Sequence, residues 1–397
     1  MLTKIEQGKD PRIKELDAIL RSCVHCGFCN ATCPTYNLFG SELEGPRGRI
    51  YLVKGMLEEK SSGKKTRTHL DRCLTCRSCE TTCPSGVKYG RLIDISRSLL
   101  ERSFFEKMVH GTLLAILPDT RRLSKAMRLA RLFRPLLPSR IRSRIFPARK
   151  AEPITRSGHS RKMLILEGCV LPLASPDTNL SASRVLDRLG ISLIPAPGCC
   201  GAMHQHMGAI DAAKQRMKKN IDAWWPHVES GIEAIVLTAS GCGLEVKEYG
   251  EMLKDDPVYG EKAERISHLA RDISEVLQNE DMSCFSGKGN GMKVAFHCSC
   301  SLQHGQELSG VVESLLARCG YRLTAVPDAH LCCGAAGTYF LLQPEISNKL
   351  LERKLEALQG GLPDVIATAN VGCQLHLESG ASIPVKHWIE LLDQERK

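Results

Sequence analysis

Residues 23–34 read Cys23-Val-His-Cys26-Gly-Phe-Cys29-Asn-Ala-Thr-Cys33-Pro34, and residues 73–84 read Cys73-Leu-Thr-Cys76-Arg-Ser-Cys79-Glu-Thr-Thr-Cys83-Pro84. Each is a C-x2-C-x2-C-x3-C-P run. Three thiolates spaced by two residues can wrap one face of a four-iron cubane, while a fourth, set further on and followed by a chain-turning proline, points elsewhere. In chains with two such runs the fourth cysteine ligates the other cluster. The spacing therefore assigns one 4Fe-4S cluster to Cys23, Cys26, Cys29 and Cys83, and a second to Cys73, Cys76, Cys79 and Cys33. That crossing would staple the two runs together. C-x2-C also suits tetrahedral zinc, but four cysteines per run, both ending in Cys-Pro, favour clusters. Disulfides fit worse, because this spacing puts the thiols in tight loops suited to a metal.

Working outward, the chain of 397 residues is too long for one small core and implies two or three domains. Hydrophobic residues at 43% and charged residues at 25% are ordinary for a globular protein, whereas 19 cysteines are not. Met1 to Asp10 is polar and lacks the apolar stretch of a signal peptide. A reducing, cytoplasmic compartment is expected, with the cysteines as metal ligands instead of bridges. No apolar run approaches the ~18–20 residues of a membrane span. The net charge of +10 is concentrated: Ser103 to Lys150 holds twelve Lys and Arg against Glu106 and Asp119 alone.

Asp10-Pro11 marks a helix start, with Ile13, Leu16, Ile19 and Leu20 at helical spacing behind it. A second apolar stripe follows Gly45-Pro46-Arg47-Gly48-Arg49, and a third covers Gly90 to Arg102. Residues 1–102 thus read as an all-α, ferredoxin-like two-cluster domain. Residues 103–160 interleave Arg121, Arg122, Lys125, Arg128, Arg131 and Arg134 with Leu123, Met127, Leu129, Leu132 and Phe133, broken by Pro118, Pro135, Pro138 and Pro147. Such a stretch either lies at a membrane surface, apolar face in lipid and cations near anionic headgroups, or forms a linker helix docked on a partner subunit. No nucleic-acid motif accompanies the charge.

From Arg161 strands and helices alternate, which implies parallel sheets with crossover helices. Strands are expected at Met163–Leu166, Ile191–Ile194, Ala234–Leu237, Lys293–Phe296, Tyr321–Val326 and Asp364–Ala367. Helices are expected at Leu180–Leu189, Val311–Ala317 and Glu345–Leu358. The pattern repeats: Cys169 to Cys300 and Cys242 to Cys373 are each 131 residues apart, Cys200 to Cys333 is 133, and Cys298 fits the repeat less well than Cys300. The fold class is α+β multidomain, the helical domain being followed by two repeated α/β modules at 161–285 and 292–397. The connection Ser286-Gly-Lys-Gly-Asn-Gly291 precedes a strand, so it is no phosphate loop and reads as flexible coil.

Each module supplies four cysteines: Cys169, Cys199, Cys200 and Cys242, then Cys300, Cys332, Cys333 and Cys373. They fall where the expected strands end, and the carboxyl edge of a parallel sheet is where distant residues converge on a ligand. Glycine beside each doublet frees the backbone for close approach. A further cluster or zinc in one or both modules is the reading, against plain buried thiols. The latter description is given to Cys284, Cys298 and Cys319, which lack repeat partners. His204, His206, His297 and His376 are read as structural.

The strings CVHCGFCNATCPTY (Cys23 to Tyr36), GSELEGPRGRIYL (Gly40 to Leu52), HLDRCLTCRSCETTCPSGV (His69 to Val87) and HCSCSLQHGQ (His297 to Gln306) resemble the iron-sulfur subunits of bacterial glycolate oxidase (glycolate dehydrogenase). These belong to a wider group with cysteine-rich (CCG) modules, shared with anaerobic glycerol-3-phosphate dehydrogenase, lactate-utilisation enzymes and heterodisulfide reductase. Heterodisulfide reductase modules end in C-x2-C, whereas Glu245 and His376 stand three residues after Cys242 and Cys373 here. That argues against its unusual cluster and leaves four cysteines per module for a simpler cluster or zinc.

The resemblance implies an electron-transfer subunit, peripheral on the inner face of the cytoplasmic membrane. It would take electrons from a partner flavoprotein that oxidises glycolate to glyoxylate and pass them toward a quinone or other acceptor. No flavin or nicotinamide motif stands in the right context, and clusters move single electrons, so no catalytic residue is assigned. The rivals are the equivalent subunit of a lactate or glycerol-3-phosphate dehydrogenase, a heterodisulfide-reductase-like thiol enzyme, and a metal-stabilised scaffold.

Overall fold

The computed structural model describes residues 3, 10–59, 63–136, 142, 145–149 and 158–393. Pro138, Arg140, Arg144 and Lys150 of the basic stretch, and most of the opening Met1–Asp10 segment, lie outside these residues.

The first helix, Pro11–Ser22, is capped by Asp10, whose carboxylate accepts from the Arg12 amide. With the helices Pro46–Glu58, Lys64–Asp71 and Tyr89–Ser98 it surrounds a core of Leu16, Leu20, Val53, Leu70, Leu92 and Ile93, into which Cys23, Cys73 and Cys79 are packed. The last of these helices ends at Ser98, before the expected Arg102. Arg102 instead turns back to a paired contact with Asp71 at 2.9 Å. Gly48 explains the Gly-Pro-Arg-Gly-Arg signature. A Cβ there would fall 2.0 Å from the Glu42 carbonyl oxygen, so only glycine lets the Pro46–Glu58 helix pack on that turn.

The basic stretch forms two helices of thirteen residues each, Phe104–Ile116 behind a Ser103/Glu106 capping box and Thr120–Leu132 capped by Asp119, separated at Pro118. Arg121, Arg122, Lys125 and Arg128 face outward, while Leu123 is buried.

Two four-stranded parallel sheets follow, with the same order. In the first, β1 (Arg161–Leu166), β2 (Ile191–Ala196), β3 (Ile235–Leu237) and β4 (Ala270–Asp272) run β2-β1-β3-β4. In the second, β5 (Lys293–His297), β6 (Arg322–Leu323), β7 (Val365–Thr368) and β8 (Val385–His387) run β6-β5-β7-β8. The modules share one core. Ile165, Val236, Leu186 and Ile273 from the first pack in the same cluster as Val294, Phe296, Leu315 and Trp388 from the second. Polar ties reinforce it: His387 Nε2 reaches the Thr238 carbonyl at 2.8 Å, and the Ser240 amide donates to the Ala369 carbonyl at 3.0 Å.

Two expectations are corrected. The Ser286–Gly291 connection is no flexible coil. The Gly289 and Gly291 amides donate to the Cys319 and Gly320 carbonyls, and a Cβ on Gly289 would lie 2.5 Å from the Tyr321 nitrogen, so its glycines serve close packing. The strand expected at Tyr321–Val326 shrinks to Arg322–Leu323, an exposed edge that the chain leaves on its way to Cys332.

Candidate iron-sulfur and metal centres

Each cysteine run wraps a short helix around a left-handed backbone corner. His25 (φ 57°) and Gly27 (φ 85°) precede the helix Phe28–Ala31; Thr75 (φ 53°) and Arg77 (φ 60°) precede Ser78–Thr81. A β-branched Thr and an Arg in this region carry strain that persists only when the surroundings impose it. At Arg77 the cause is visible: its guanidinium makes a paired contact with Glu248 of the first module, one arm at 2.9 Å.

The fourth cysteine of each run lies with the first three of the other. Cys23, Cys26, Cys29 and Cys83 line one small cavity, at whose edge Cys79 also appears. Burial, then the neighbouring Cys23, Cys83 and Cys26 sulfurs, push the Cys29 thiol up to about 11. Cys33, Cys73, Cys76 and Cys79 line the other, with Arg49 and Tyr89 in its wall. Burial raises the Cys79 thiol well above its ordinary value, with Cys76, Cys73 and Cys33 adding to it. Arg49 is 1% exposed. Burial opposes its charge, but Tyr89, Cys73, Cys33 and Glu44 around it hold the guanidinium above its usual range. A buried cation beside four sulfurs suits a centre whose thiolates carry negative charge.

In the first module Cys169 follows β1, Cys199 and Cys200 follow β2, and Cys242 stands in the first turn of the helix Ser240–Lys247. The thiols of Cys169 and Cys200 point at Cys199 and hold it well below the ordinary thiol value, helped by the Gly201 amide and Arg216. In the second module the Cys300 and Cys332 sulfurs are 4.0 Å apart, Cys333 neighbours both Cys332 and Cys373, and Cys373 stands in the first turn of the helix Val371–Glu378. Two of the eight thus sit on helix starts, past the strand ends where the sequence reading put them. Cys298 and Cys319 are buried in the shared core as expected, but Cys284 is exposed and is no buried hydrophobe.

His206 pairs with Asp94 at 3.2 Å and His376 with the Ser347 hydroxyl at 3.0 Å, as structural residues would. His297 differs. One of its ring nitrogens and the sulfurs of Cys333 and Cys373 all lie within 4.8 Å of one another. Burial pushes its imidazole down to about 3, with Lys354 and His376 adding to the effect.

Where the helical domain meets both modules a cavity of about 860 Å³ opens, bordered by Cys76, by cysteines of both modules, and by Val109, Leu123 and Met127 of the basic helices. Cys76 is close enough to Cys300 and Cys332 for their charges to raise one another's thiols. Leu74 packs with Cys332, Tyr339 and Ile346 in one apolar cluster.

Comparison with known proteins matches these regions to domain families. Residues 19–87 match the 4Fe-4S dicluster domain family, and residues 163–247 and 294–378 each match the cysteine-rich domain (CCG) family. The glycolate oxidase iron-sulfur subunit of Escherichia coli is 50% identical, covering 98% of this chain and 97% of that one. This chain belongs to the glycolate oxidase iron-sulfur subunit family. A probable glycolate oxidase iron-sulfur subunit of Bacillus subtilis is 30% identical over 91% of this chain and 89% of its own. Lactate utilization protein A of Bacillus licheniformis is 26% identical over 58% of this chain and 99% of its own length. A solved structure of a hypothetical protein from Helicobacter pylori superposes with a TM-score of 0.59 at 10% identity, covering 96% of this chain and 72% of that one, a likeness of fold alone. Membership of the glycolate oxidase iron-sulfur subunit family supports an electron-transfer role, and the matched domains indicate iron-sulfur clusters. Among the described residues no helix is long and apolar enough to cross a membrane.

Proposed function

We propose that this chain is the electron-relay subunit of a glycolate oxidase complex, carrying electrons from a flavoprotein that oxidises glycolate to glyoxylate toward a quinone-type acceptor. The helical unit 1–102 would hold two 4Fe-4S clusters, one on Cys23, Cys26, Cys29 and Cys83, the other on Cys33, Cys73, Cys76 and Cys79. The modules 161–285 and 292–397 would hold further metal on Cys169, Cys199, Cys200 and Cys242 and on Cys300, Cys332, Cys333 and Cys373. When bound, such clusters supply single-electron conduction. The observation that carries the reading is the crossed grouping of the eight N-terminal thiols around two separate cavities.

The protein's own residues would keep the sites dry and joined. Leu74, Tyr339 and Ile346 pack the Cys76 loop against the second module, and the Tyr339 hydroxyl donates to the Arg72 carbonyl at 3.0 Å. The basic segment 103–160 supports the membrane side of the proposal. Phe104, Leu129, Leu132 and Leu136 are exposed beside outward cations, a surface suited to peripheral contact with anionic lipid, while the other side of the same helices borders the apolar cavity, where an acceptor ring would approach the thiols.

The test is purification from the host under mild conditions, followed by iron counting and a glycolate-to-quinone assay. A flavoprotein should accompany the chain, and turnover should need both. A chain purified alone that turns over a disulfide would overturn the relay.

A further inference from the structure

The two modules repeat at an offset of 131 residues, and at that offset His297 occupies the place of Leu166. Both are the last residue of their sheet's second strand in spatial order, β5 and β1. Leu166 packs among apolar side chains and Cys200. His297 instead brings a buried imidazole, 2% exposed, to the sulfurs of Cys333 and Cys373.

The hydrogen bonding distinguishes the two ring nitrogens. Thr368, its register partner on β7, has its hydroxyl 3.2 Å from the His297 carbonyl, to which it can donate, and 3.0 Å from His297 Nδ1. With the hydroxyl proton on the carbonyl, Nδ1 donates to the hydroxyl oxygen and Nε2 keeps an unprotonated lone pair. Nε2 has no hydrogen-bond partner among the described residues. A neutral imidazole whose far nitrogen donates to a neighbouring oxygen is how proteins orient a metal-binding histidine. Leaving such an acceptor buried and unpaired costs free energy that a metal bond would offset.

A second, independent observation concerns charge. Lys354 is 3% exposed, donates to the Asp328 and Ala329 carbonyls, and lies close enough to Cys332, Cys333 and Cys300 to interact with them. At the offsets of 131 and 133 the first module has Ala223 and Ile221. Lys354 stands on the helix Pro344–Gln359; the matching helix of the first module, Ile210–Glu229, turns Arg216 toward Cys199, but that cation is only half-buried, so the second module holds the more deeply buried positive charge against its thiols.

We infer that His297 is a metal ligand, and that the second module holds a borderline-soft metal through mixed imidazole and thiolate donors, Nε2 of His297 with Cys333 and Cys373 and a fourth donor from the neighbouring pair Cys300 and Cys332. This rests on the reading that the module binds metal at all. The donor set suits zinc or the iron of a cluster, and the experiment separates them.

The full-length chain, purified anaerobically with its partners, is analysed for iron and zinc as wild type, as Cys373→Ala, as His297→Ala and as Thr368→Val. Iron-edge and zinc-edge X-ray absorption and nitrogen hyperfine spectroscopy are recorded on the wild type. Expected are a nitrogen ligand at ~2.0–2.1 Å at the zinc edge, with sulfur at ~2.3 Å, or an imidazole-nitrogen coupling on an iron centre. Both Cys373→Ala and His297→Ala should lose the module's metal, and Thr368→Val should weaken its retention roughly 10- to 100-fold. Full metal content in Cys373→Ala would overturn the underlying reading. Loss in Cys373→Ala with full content in His297→Ala, or an all-sulfur first shell in the unmodified protein, would overturn the assignment of His297 alone. The wild-type spectra decide even if His297→Ala fails to fold.

Discussion

The two modules share a sheet order, a cysteine pattern and a core, yet they meet the helical domain in different ways. The first docks mainly by polar contact, with Ile210 set into the helical core: Arg77 clasps Glu248, Arg97 donates to the His206 carbonyl, and His206 pairs with Asp94. The second docks by apolar contact, through Leu74, Cys332, Tyr339, Ile346 and Leu350. Their thiols differ as well. Cys199 is held low by its neighbours' thiols, whereas the contact with Cys332 and then burial hold Cys300 high, and at Cys332 the downward pull of Cys300 is outweighed by Cys333 and burial; both lie near Cys76. Duplication supplied two copies of one scaffold, and divergence at a few buried positions gave the second the larger apolar seam, beside Cys76.

The largest expected effect separates the modules functionally. On the proposed relay, Cys332→Ala should abolish glycolate-driven quinone reduction while leaving the N-terminal clusters reducible, because it removes a thiol at the seam near Cys76. Cys169→Ala should reduce turnover less. Equal loss in both variants would break the asymmetry.

Docking energetics come next. Arg77→Ala strands the partly buried Glu248 and should cost about 3–5 kcal/mol, and Leu74→Ala should cost about 2–5 kcal/mol in the second seam. Unfolding midpoints measured across a salt series would sharpen the contrast. Added salt should weaken the wild-type Arg77 contact and shrink the Arg77→Ala penalty, while the Leu74→Ala penalty should not shrink.

A smaller pair of effects uses the edge strands. β4 ends at Asp272 and β8 at His387, and both lead straight into a helix. Burial raises Asp272 to about 6 and lowers His387 to about 4. For Asp272 the folded state prefers the neutral acid, so its contribution is full below ~3.8 and is lost as pH rises through about 6. For His387 the folded state prefers the neutral ring, so its contribution is full above ~6.5 and is lost as pH falls through about 4. Asp272→Asn should therefore gain roughly 3 kcal/mol over wild type between pH 4 and pH 7. His387→Gln should instead lose its disadvantage as pH falls from 7 to 4. Urea titrations at the two pH values check both slopes, and parallel slopes would contradict the burial account.

Much of this was legible in the chain because local spacing encodes it. The C-x2-C-x2-C-x3-C-P runs implied the crossed grouping, and the 131-residue offset implied matched modules. What escaped the sequence depended on distant partners. The Nδ1 contact of His297 comes from Thr368, 71 residues away. β4 and β8 have three residues each, too few to show a period. The glycines of Ser286–Gly291 look like flexible coil until the Cys319–Gly320 backbone is seen pressed against them. The basic helices read as a membrane-surface segment or as a linker helix docked on a partner subunit; spacing could not show that, with cations outward, their other side borders a cavity formed by this chain itself.

The relay itself is tested most directly by adding glycolate anaerobically to the intact complex, without acceptor, and recording its EPR spectrum. The account predicts reduced-cluster signals from both N-terminal centres, the signal that depends on Cys23, Cys26 and Cys29 disappearing in Cys83→Ala. Glycolate oxidation that proceeds to an added quinone while both clusters stay oxidised and unreactive would contradict it.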